Sequence, residues 1–244
     1  MNPAYFIFLF ASVIILIVVL SIRSYRRYQE NLARTFMECG YFEVPHVDAE
    51  IKSALEGPWA VASKHNSGNR RVIGKAFRYN TGGMELYIFD PEPSNSSSRA
   101  IIIRSSQLSF PRFILSPKIP IAGKLGSLLN ALSEKIISRQ LPAVKLNSAP
   151  EFDARYVLFG NEHERIREIF AGGFIRWLVQ SSRRFMISAD GSILTLSYVE
   201  AANLKQLRRR RPLDGDYIRE LTSVARELYQ NLYDSRRHER VNTV

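Results

Sequence analysis

The sequence has one cysteine and four histidines among its 244 residues. Cys39 alone excludes an internal disulfide and any metal site built from several thiolates. The four histidines lie far apart, with no second ligand at metal-binding spacing, at His46, His65, His163 and His238. A zinc ion needs three or four protein ligands, so these residues do not form such a site. We therefore expect neither a bound metal nor a cofactor.

Catalytic motifs are also scarce. His163 and Glu164 begin like a zinc-protease helix, but Arg167 stands where the second histidine would be. Residues 68–75 resemble a phosphate-binding loop only superficially, because Ala76 stands where magnesium binding requires a hydroxyl. The nucleophile motif Gly-x-Ser-x-Gly is absent from the sequence. We therefore predict that the protein is not an enzyme.

Charged residues are missing from the first 22 positions. In Tyr5–Ile22, 14 of the 18 residues are Phe, Ile, Leu or Val, and with Pro3 and Ala4 added a helix of this segment spans about 30 Å. A cleaved signal peptide would need a basic start, a shorter apolar run and a small-x-small cleavage site, and this segment has none of these. We predict that residues 1–22 are an uncleaved transmembrane anchor, in preference to a signal peptide or a buried core helix.

Three arginines follow the apolar run directly, at Arg23, Arg26 and Arg27. The positive-inside rule places such a cluster, and the domain after it, on the cytoplasmic side, with the amino terminus outside. Arginines at this depth also attract anionic headgroups. The whole chain is basic, with 34 Lys and Arg against 23 Asp and Glu. The bilayer and its anionic lipids are therefore the first partners that the sequence predicts.

Residues 23–40 are predicted to continue as a juxtamembrane helix that ends at Gly40. Its apolar residues recur at spacings of three and four, at Tyr25, Tyr28, Leu32, Phe36 and Cys39. Such a stripe either docks on the protein's own domain or pairs two copies as a short coiled coil. Two heptads are too few to choose between these interpretations.

Residues 41–140 favour an antiparallel meander followed by a helix. Strand patterns cover 59–64, 71–79, 84–89 and 100–104, and a helical pattern covers 121–138. The three prolines within 110–120 argue against a helix or a central strand there. Residues 141–150 are predicted to be a loop and the best internal boundary.

Residues 151–235 carry a strand at 155–159, helices at 162–170 and 174–180, and a hairpin around Asp190-Gly191. A capping box at Asn161–Glu164 is expected to open the first helix. An amphipathic helix follows, with its apolar stripe at Tyr217, Leu221, Val224, Leu228 and Leu232.

The fold class predicted from these patterns is α+β. We expect one transmembrane helix, a mostly antiparallel sheet domain made of residues 41–140 and 151–235, and a closing amphipathic helix. Residues 236–244 are expected to form a disordered tail. Residues Asp48 to Tyr233 are expected to fold without the segments before them.

A second basic cluster is the arginine run, defined as Lys205, Arg208, Arg209, Arg210 and Arg211. Pro212 disfavours a helix there. Three interpretations are open: a solvated loop, a contact with anionic headgroups, or a contact with nucleic acid or an acidic protein. No aromatic residues interleave with the arginines to stack on bases, so specific nucleic-acid binding is not expected.

These observations predict a single-pass, membrane-anchored cytoplasmic interaction or scaffold module without catalytic activity. The alternative is an enzyme or binding protein that acts on a lipid or envelope-associated substrate at the cytoplasmic face of the membrane. Self-association through the juxtamembrane helix stays open, and the sequence gives no support for it.

Overall fold

The computed structural model describes the backbone of residues 3–54, 75–89, 100–118, 128, 130–131, 134–135, 137–139, 141–146, 150–171, 173–200 and 213–242. Within these ranges the side chains of residues 3–9, 11–12, 199–200 and 236–242 are not described. The expected strand at 59–64, the start of the one at 71–79 and the arginine run lie outside the described residues.

Nine strands of the described residues form one sheet, and each neighbouring pair is antiparallel. The order across the sheet is β1-β2-β3-β4-β9-β8-β5-β7-β6. The predicted meander is confirmed for β2, β3 and β4. The strands are β1 (Phe42–Val44), β2 (Ala76–Thr81), β3 (Met84–Phe89), β4 (Ile101–Ser105), β5 (Phe110–Pro117), β6 (Ala143–Val144), β7 (Tyr156–Gly160), β8 (Arg183–Gly191) and β9 (Ile193–Glu200).

In the described part of the chain five helices pack against the sheet, and the first is the longest. They are α1 (Pro3–Glu38), α2 (Pro150–Arg155), α3 (His163–Ile169), α4 (Gly173–Gln180) and α5 (Gly215–Asn242). Residues 49–54 and the described positions within 128–139 are mostly helical too. Helix α5 continues through most of the residues for which a disordered tail is expected.

The main core lies between one face of the sheet and the helices. Alternate strand residues such as Leu86 and Phe185 point into it, as period-two alternation requires, and helix residues such as Phe36, Leu178 and Leu228 meet them. In the stripe predicted for the last helix, the residues from Leu221 onward are buried in this core. The amphipathic helix therefore closes the sheet, as predicted.

The opposite face of the sheet carries two smaller clusters. Ile51, from the helical segment at 49–54, packs with Tyr87 and Ile102 of the first half of the sheet. Ile137 packs with Ile114 and Phe159 near the other edge. This face is therefore covered in two separate places, each by a helical segment.

Strand β5 corrects the prediction for the proline-rich segment. It is a central strand between β8 and β7, although it contains Pro111 and Pro117. The register with β8 shifts between Phe110 and Phe113, so Pro111 lies in an irregularity, and Pro117 is the last strand residue. A proline is tolerated at a bulge or a strand end because no ladder hydrogen bond is lost there.

The expected capping box of α3 is not formed. The N-cap residue is Glu162, and its side chain makes no capping hydrogen bond. The carboxylates of Glu162 and Glu164 instead pair with Arg165 and Arg167, at 2.5 and 2.6 Å. These exposed pairs one turn apart explain the local charge pattern better than a cap does.

The expected hairpin forms with its turn one residue later than predicted. Asp190 pairs with Ile193, so the two loop residues are Gly191 and Ser192. Gly191 has a φ of +57°, the left-handed conformation that a type II′ turn assigns to glycine.

The fold class is α+β, a mostly antiparallel sheet with helices. Within the part of the chain whose residues are described, no helix is both long enough and apolar enough to span a bilayer. Leu32, Phe36 and Tyr41 belong to the main core, so residues 48–233 do not contain all of it. That residues 48–233 fold without the segments before them stays a prediction.

Candidate functional site

The first part of α1 exposes apolar side chains to solvent. Among its described large apolar residues up to Ile22, the exposed fraction runs from 42% at Val19 to 70% at Phe10. Residues 13–20 are consecutive and cover more than two helical turns, so every side of the helix is exposed. Soluble monomers rarely expose so much contiguous apolar surface. We call Tyr5–Ile22 the apolar segment.

Arg23, Arg26 and Arg27 lie on the next turns of the same helix, and all three are exposed. We call them the basic collar. The backbone remains α-helical through the collar. The spacing between the last apolar residue and the arginines is therefore fixed by helix geometry, at 1.5 Å per residue.

The last turns of α1 are docked on the domain. Leu32 and Phe36 are buried, and the Phe36 ring stacks on Phe77 of β2 with a centroid distance of 3.9 Å. Tyr25 and Tyr28, earlier in the predicted stripe, are about half exposed. The docking interpretation is thus confirmed for the later part of the stripe. We call Leu32–Glu38 the docked segment.

A glycine ends α1 and reverses the chain. The amide of Tyr41 donates to the carbonyl of Phe36 and that of Gly40 to Met37, both at 2.9 Å, which is the Schellman pattern. Gly40 has a φ of +82°, a backbone conformation that is unfavourable for residues with a Cβ. The rings of Phe36 and Tyr41 meet edge to face at 5.4 Å and complete the motif. The predicted stop at Gly40 is confirmed.

Tyr41 ties this helix end to α5. Its hydroxyl lies 2.6 Å from the Thr222 hydroxyl, and burial raises the pKa of Tyr41 to about 12. Arg226 of α5 stacks over the Tyr79 ring at 4.9 Å and donates to its hydroxyl. The end of α1, strand β2 and α5 are therefore locked together by polar as well as apolar contacts.

The direction of α1 follows from two contacts with β2. Phe36 lies against Phe77, and Gly40 lies against Tyr79, 3.3 Å from where a Cβ would stand. Helix α1 and strand β2 therefore run in the same direction. The earlier turns of α1, including the collar and the apolar segment, project past the end of the sheet at which β2 begins.

We call the end of the sheet at which β2 begins the proximal end. The register places the ends of β3, β5 and β9 there, together with the beginnings of β4 and β8. Described cations at this end are Lys75, Lys118, Arg155, Arg183 and Arg184. The arginine run follows β9, and β9 ends at the proximal end.

The described residues offer little for metal chemistry. No group of three or more His, Cys, Asp or Glu in this part of the chain could hold a metal ion. Glu164, beside His163, is engaged by Arg167. The Sγ of Cys39 lies 3.7 Å from the Gly215 carbonyl and 3.8 Å from the Arg219 guanidinium, at the start of α5.

The sequence predicted the basic collar but not the residues on which the end of α1 docks. Phe77, Tyr79 and Thr222 are contributed by β2 and α5, far from α1 in sequence. The one local signal was the alternation that points Phe77 and Tyr79 to the same face of a strand.

No protein-family model matches the chain, and no curated protein or solved structure matches it either. Function is therefore inferred from the chemistry of α1 and the proximal end.

Proposed function

We propose that this protein is a single-pass, membrane-anchored interaction or scaffold module whose apolar segment crosses the bilayer. The observation that carries the proposal is the all-round exposure of residues 13–20 on a helix whose later turns are buried in the domain core. Such a surface needs an apolar environment that the domain does not supply.

The energetics favour insertion. Each Leu, Ile, Phe or Val near the centre of a spanning helix contributes about 0.3 to 0.6 kcal/mol, and the apolar segment has 14 of them. The sum is on the order of several kcal/mol. No charged side chain within the segment opposes it.

The basic collar supports an orientation with the domain in the cytoplasm. Three arginines directly after the apolar segment would stay on the cytoplasmic side under the positive-inside rule. There they would also attract anionic headgroups, at about 1 kcal/mol each.

The direction of α1 supports a further part of the proposal, that the proximal end faces the inner leaflet. The apolar segment projects past that end, so an inserted anchor brings the proximal end towards the lipid. Strand β9 ends there and the arginine run follows it in sequence, so anionic lipid is the proposed partner of the run. An acidic protein is the competing partner, and specific nucleic-acid binding is not proposed.

Membrane integration is tested by placing charge in the apolar segment. Val13→Arg combined with Leu16→Arg places both charges near the centre of the apolar segment and costs about 5 to 7 kcal/mol, comparable to the whole favourable sum. We expect the variant to be extracted from membranes by alkaline carbonate, whereas the native chain resists. Met37→Arg is the matched control, because Met37 is 60% exposed on the same helix but lies in the docked segment.

Orientation is tested by a reporter that fluoresces only in the cytoplasm, fused after Val244. We expect fluorescence from the native chain. If the reporter is dark while the chain resists carbonate extraction, the anchor is supported and the proposed orientation is wrong.

The role of the arginine run is tested with residues 29–244, which keep the docked segment and omit the anchor and the collar. We expect weak binding to anionic vesicles, lost when Arg208 to Arg211 become Ser, since four arginines near such a surface contribute about 4 kcal/mol. Binding should also fall between 0.1 and 1 M salt, as the Debye length shrinks from about 10 to 3 Å. Equal binding by both versions would support the solvated loop, and salt-resistant capture of an acidic protein would support the competing partner.

A further inference from the structure

Three cations from separate elements are neighbours at the proximal end. Lys118 follows β5, Arg155 ends α2, and Arg184 is the second residue of β8. The Lys118 amide donates to the Arg155 carbonyl at 2.8 Å, and the Arg184 guanidinium donates to the Lys118 carbonyl. The three residues therefore form one hydrogen-bonded unit.

Carboxylates are not part of this unit. Within the described residues, no Asp or Glu side chain lies within 4 Å of the charged groups of Lys118, Arg155 or Arg184. Arg183, the neighbour of Arg184, shows the contrast, because its guanidinium pairs with Glu220 at 2.7 Å.

Arg184 is the least compensated of the three. Its Nε atom is buried and has no hydrogen-bond partner among the described residues. Desolvation, and secondarily the charge of Arg155, lower the pKa of Arg184 from its usual value. A buried donor without a partner is costly, and a neighbouring like charge adds to the cost, so an anion placed here would relieve both.

The other two cations differ in how many hydrogen-bond donors remain available for a ligand. The guanidinium of Arg155 donates to the carbonyls of Val179 and Ser181 and so closes the end of α4. The Lys118 ammonium donates to the Asp153 carbonyl at 2.6 Å and has two further donors. Lys118 and Arg184 therefore supply the direct contacts, while Arg155 adds charge and holds the backbone in place.

We propose that Lys118, Arg155 and Arg184 form a binding site for a phosphate monoester group. A phosphate monoester carries close to two negative charges and three acceptor oxygens, which match the donors of a guanidinium and an ammonium on hydrogen-bonded neighbouring residues. All three residues are half-buried, so the site is both preorganised and reachable. A lipid headgroup as the source depends on the proposed membrane anchorage, whereas binding of free phosphate does not.

The test uses the full chain in nanodiscs of zwitterionic lipid, titrated with inorganic phosphate against chloride at equal ionic strength. Binding is followed as a rise in thermal stability, which grows with ligand concentration over Kd. We expect phosphate to stabilise the native chain beyond chloride. In Lys118→Gln combined with Arg184→Gln, the phosphate affinity should fall by at least about tenfold.

Arg112→Gln is the control for Lys118→Gln, since each removes one positive charge and Arg112 is an exposed cation of β5 away from the proximal end. It should bind phosphate like the native chain. If the double variant does not fold, Lys118→Gln alone and Arg184→Lys give the same comparison, with Arg184→Lys retaining the charge but losing the fork. Equal phosphate responses in all variants, or a response that chloride reproduces, would overturn the site.

The source of the phosphate is decided by adding phosphatidic acid or phosphatidylglycerol to the nanodiscs at equal mole fraction. Phosphatidic acid presents a monoester, and phosphatidylglycerol a diester. Competition with free phosphate by the monoester lipid alone supports a headgroup ligand, and no competition supports a soluble one. Carbonate extraction of the same variants reports on anchorage separately, so failure of the site and failure of the anchor are distinguishable.

Discussion

The apolar segment and the docked segment belong to one unbroken helix and have opposite surroundings. The described side chains of the first are exposed on every side, whereas the second buries Leu32 and Phe36 in the core of the domain. The backbone is helical throughout, so local conformation does not distinguish the two. The difference lies in what each part of the surface contacts.

The continuous helix couples the orientation of the domain to that of its anchor. Leu32 follows Ile22 by ten helical positions, a rise of about 15 Å. A flexible linker would let the domain move independently of its anchor, but a helix transmits tilt and rotation. If the apolar segment lies in a bilayer, the proximal end is therefore held at a set orientation to the lipid surface.

The largest expected effect comes from truncating the docked segment. Phe36→Ala removes a fully buried ring stacked on Phe77 and should lower the free energy of unfolding by about 3 to 5 kcal/mol. Urea unfolding of the full chain in detergent, followed by tryptophan fluorescence, measures it.

Ile17→Ala is the matched control for Phe36→Ala, because Ile17 is 57% exposed on the same helix. It should change the unfolding free energy of the domain by less than about 0.5 kcal/mol. A similar loss from both substitutions would mean that the apolar segment contributes to the domain core after all.

The sequence predicted most of the strands and the last helix because their apolar periodicity is local. Strand β5 could not be predicted in that way, since the tolerance of Pro111 depends on a register shift relative to β8, a non-local partner. The docking of Phe36 on Phe77 is non-local too. Lys118, Arg155 and Arg184 lie far apart in sequence, and only the antiparallel pairing of β5 with β7 and β8 brings them together.

The second expected effect is a loss of stability at high pH, carried by Tyr41. Below pH 10 the hydroxyl is protonated in both the folded and the unfolded chain. Between pH 10 and about 12 the unfolded chain loses the proton while burial keeps it on the folded one, so stability falls. A shift of this size corresponds to about 2 to 3 kcal/mol.

Unfolding curves at pH 9 and pH 11.5 measure this loss. Tyr41→Phe should reduce the pH dependence, whereas Thr222→Val removes the hydrogen bond and should retain it. The same slope in both variants would assign the pH dependence to other groups, such as Tyr198, whose pKa burial also raises.

A smaller effect is expected where the docked segment ends. Gly40→Ala forces a side chain into a left-handed conformation and places its Cβ 3.3 Å from the Tyr79 ring, so a loss of about 1 to 2 kcal/mol is expected. Gly173→Ala is the matched control, because Gly173 begins α4 with nothing within 4 Å of the added Cβ. Urea midpoints of the two variants give the comparison, and equal midpoints would contradict the role of the Schellman turn.

The smallest expected effect is the loss of vesicle binding when one arginine is removed, either from the basic collar or from the docked segment. In residues 23–244, which keep the collar and the docked segment, Arg26→Gln should weaken binding to anionic vesicles by about fivefold, since one arginine at the surface contributes about 1 kcal/mol. Arg34→Gln removes the same charge from an exposed position of the same helix, eight residues and about 12 Å further from the apolar segment. That distance exceeds the Debye length of about 10 Å at 0.1 M salt, so Arg34→Gln should change binding little. Equal losses from Arg26→Gln and Arg34→Gln would mean that the helix lies along the lipid surface, and the proximal end would then not face it.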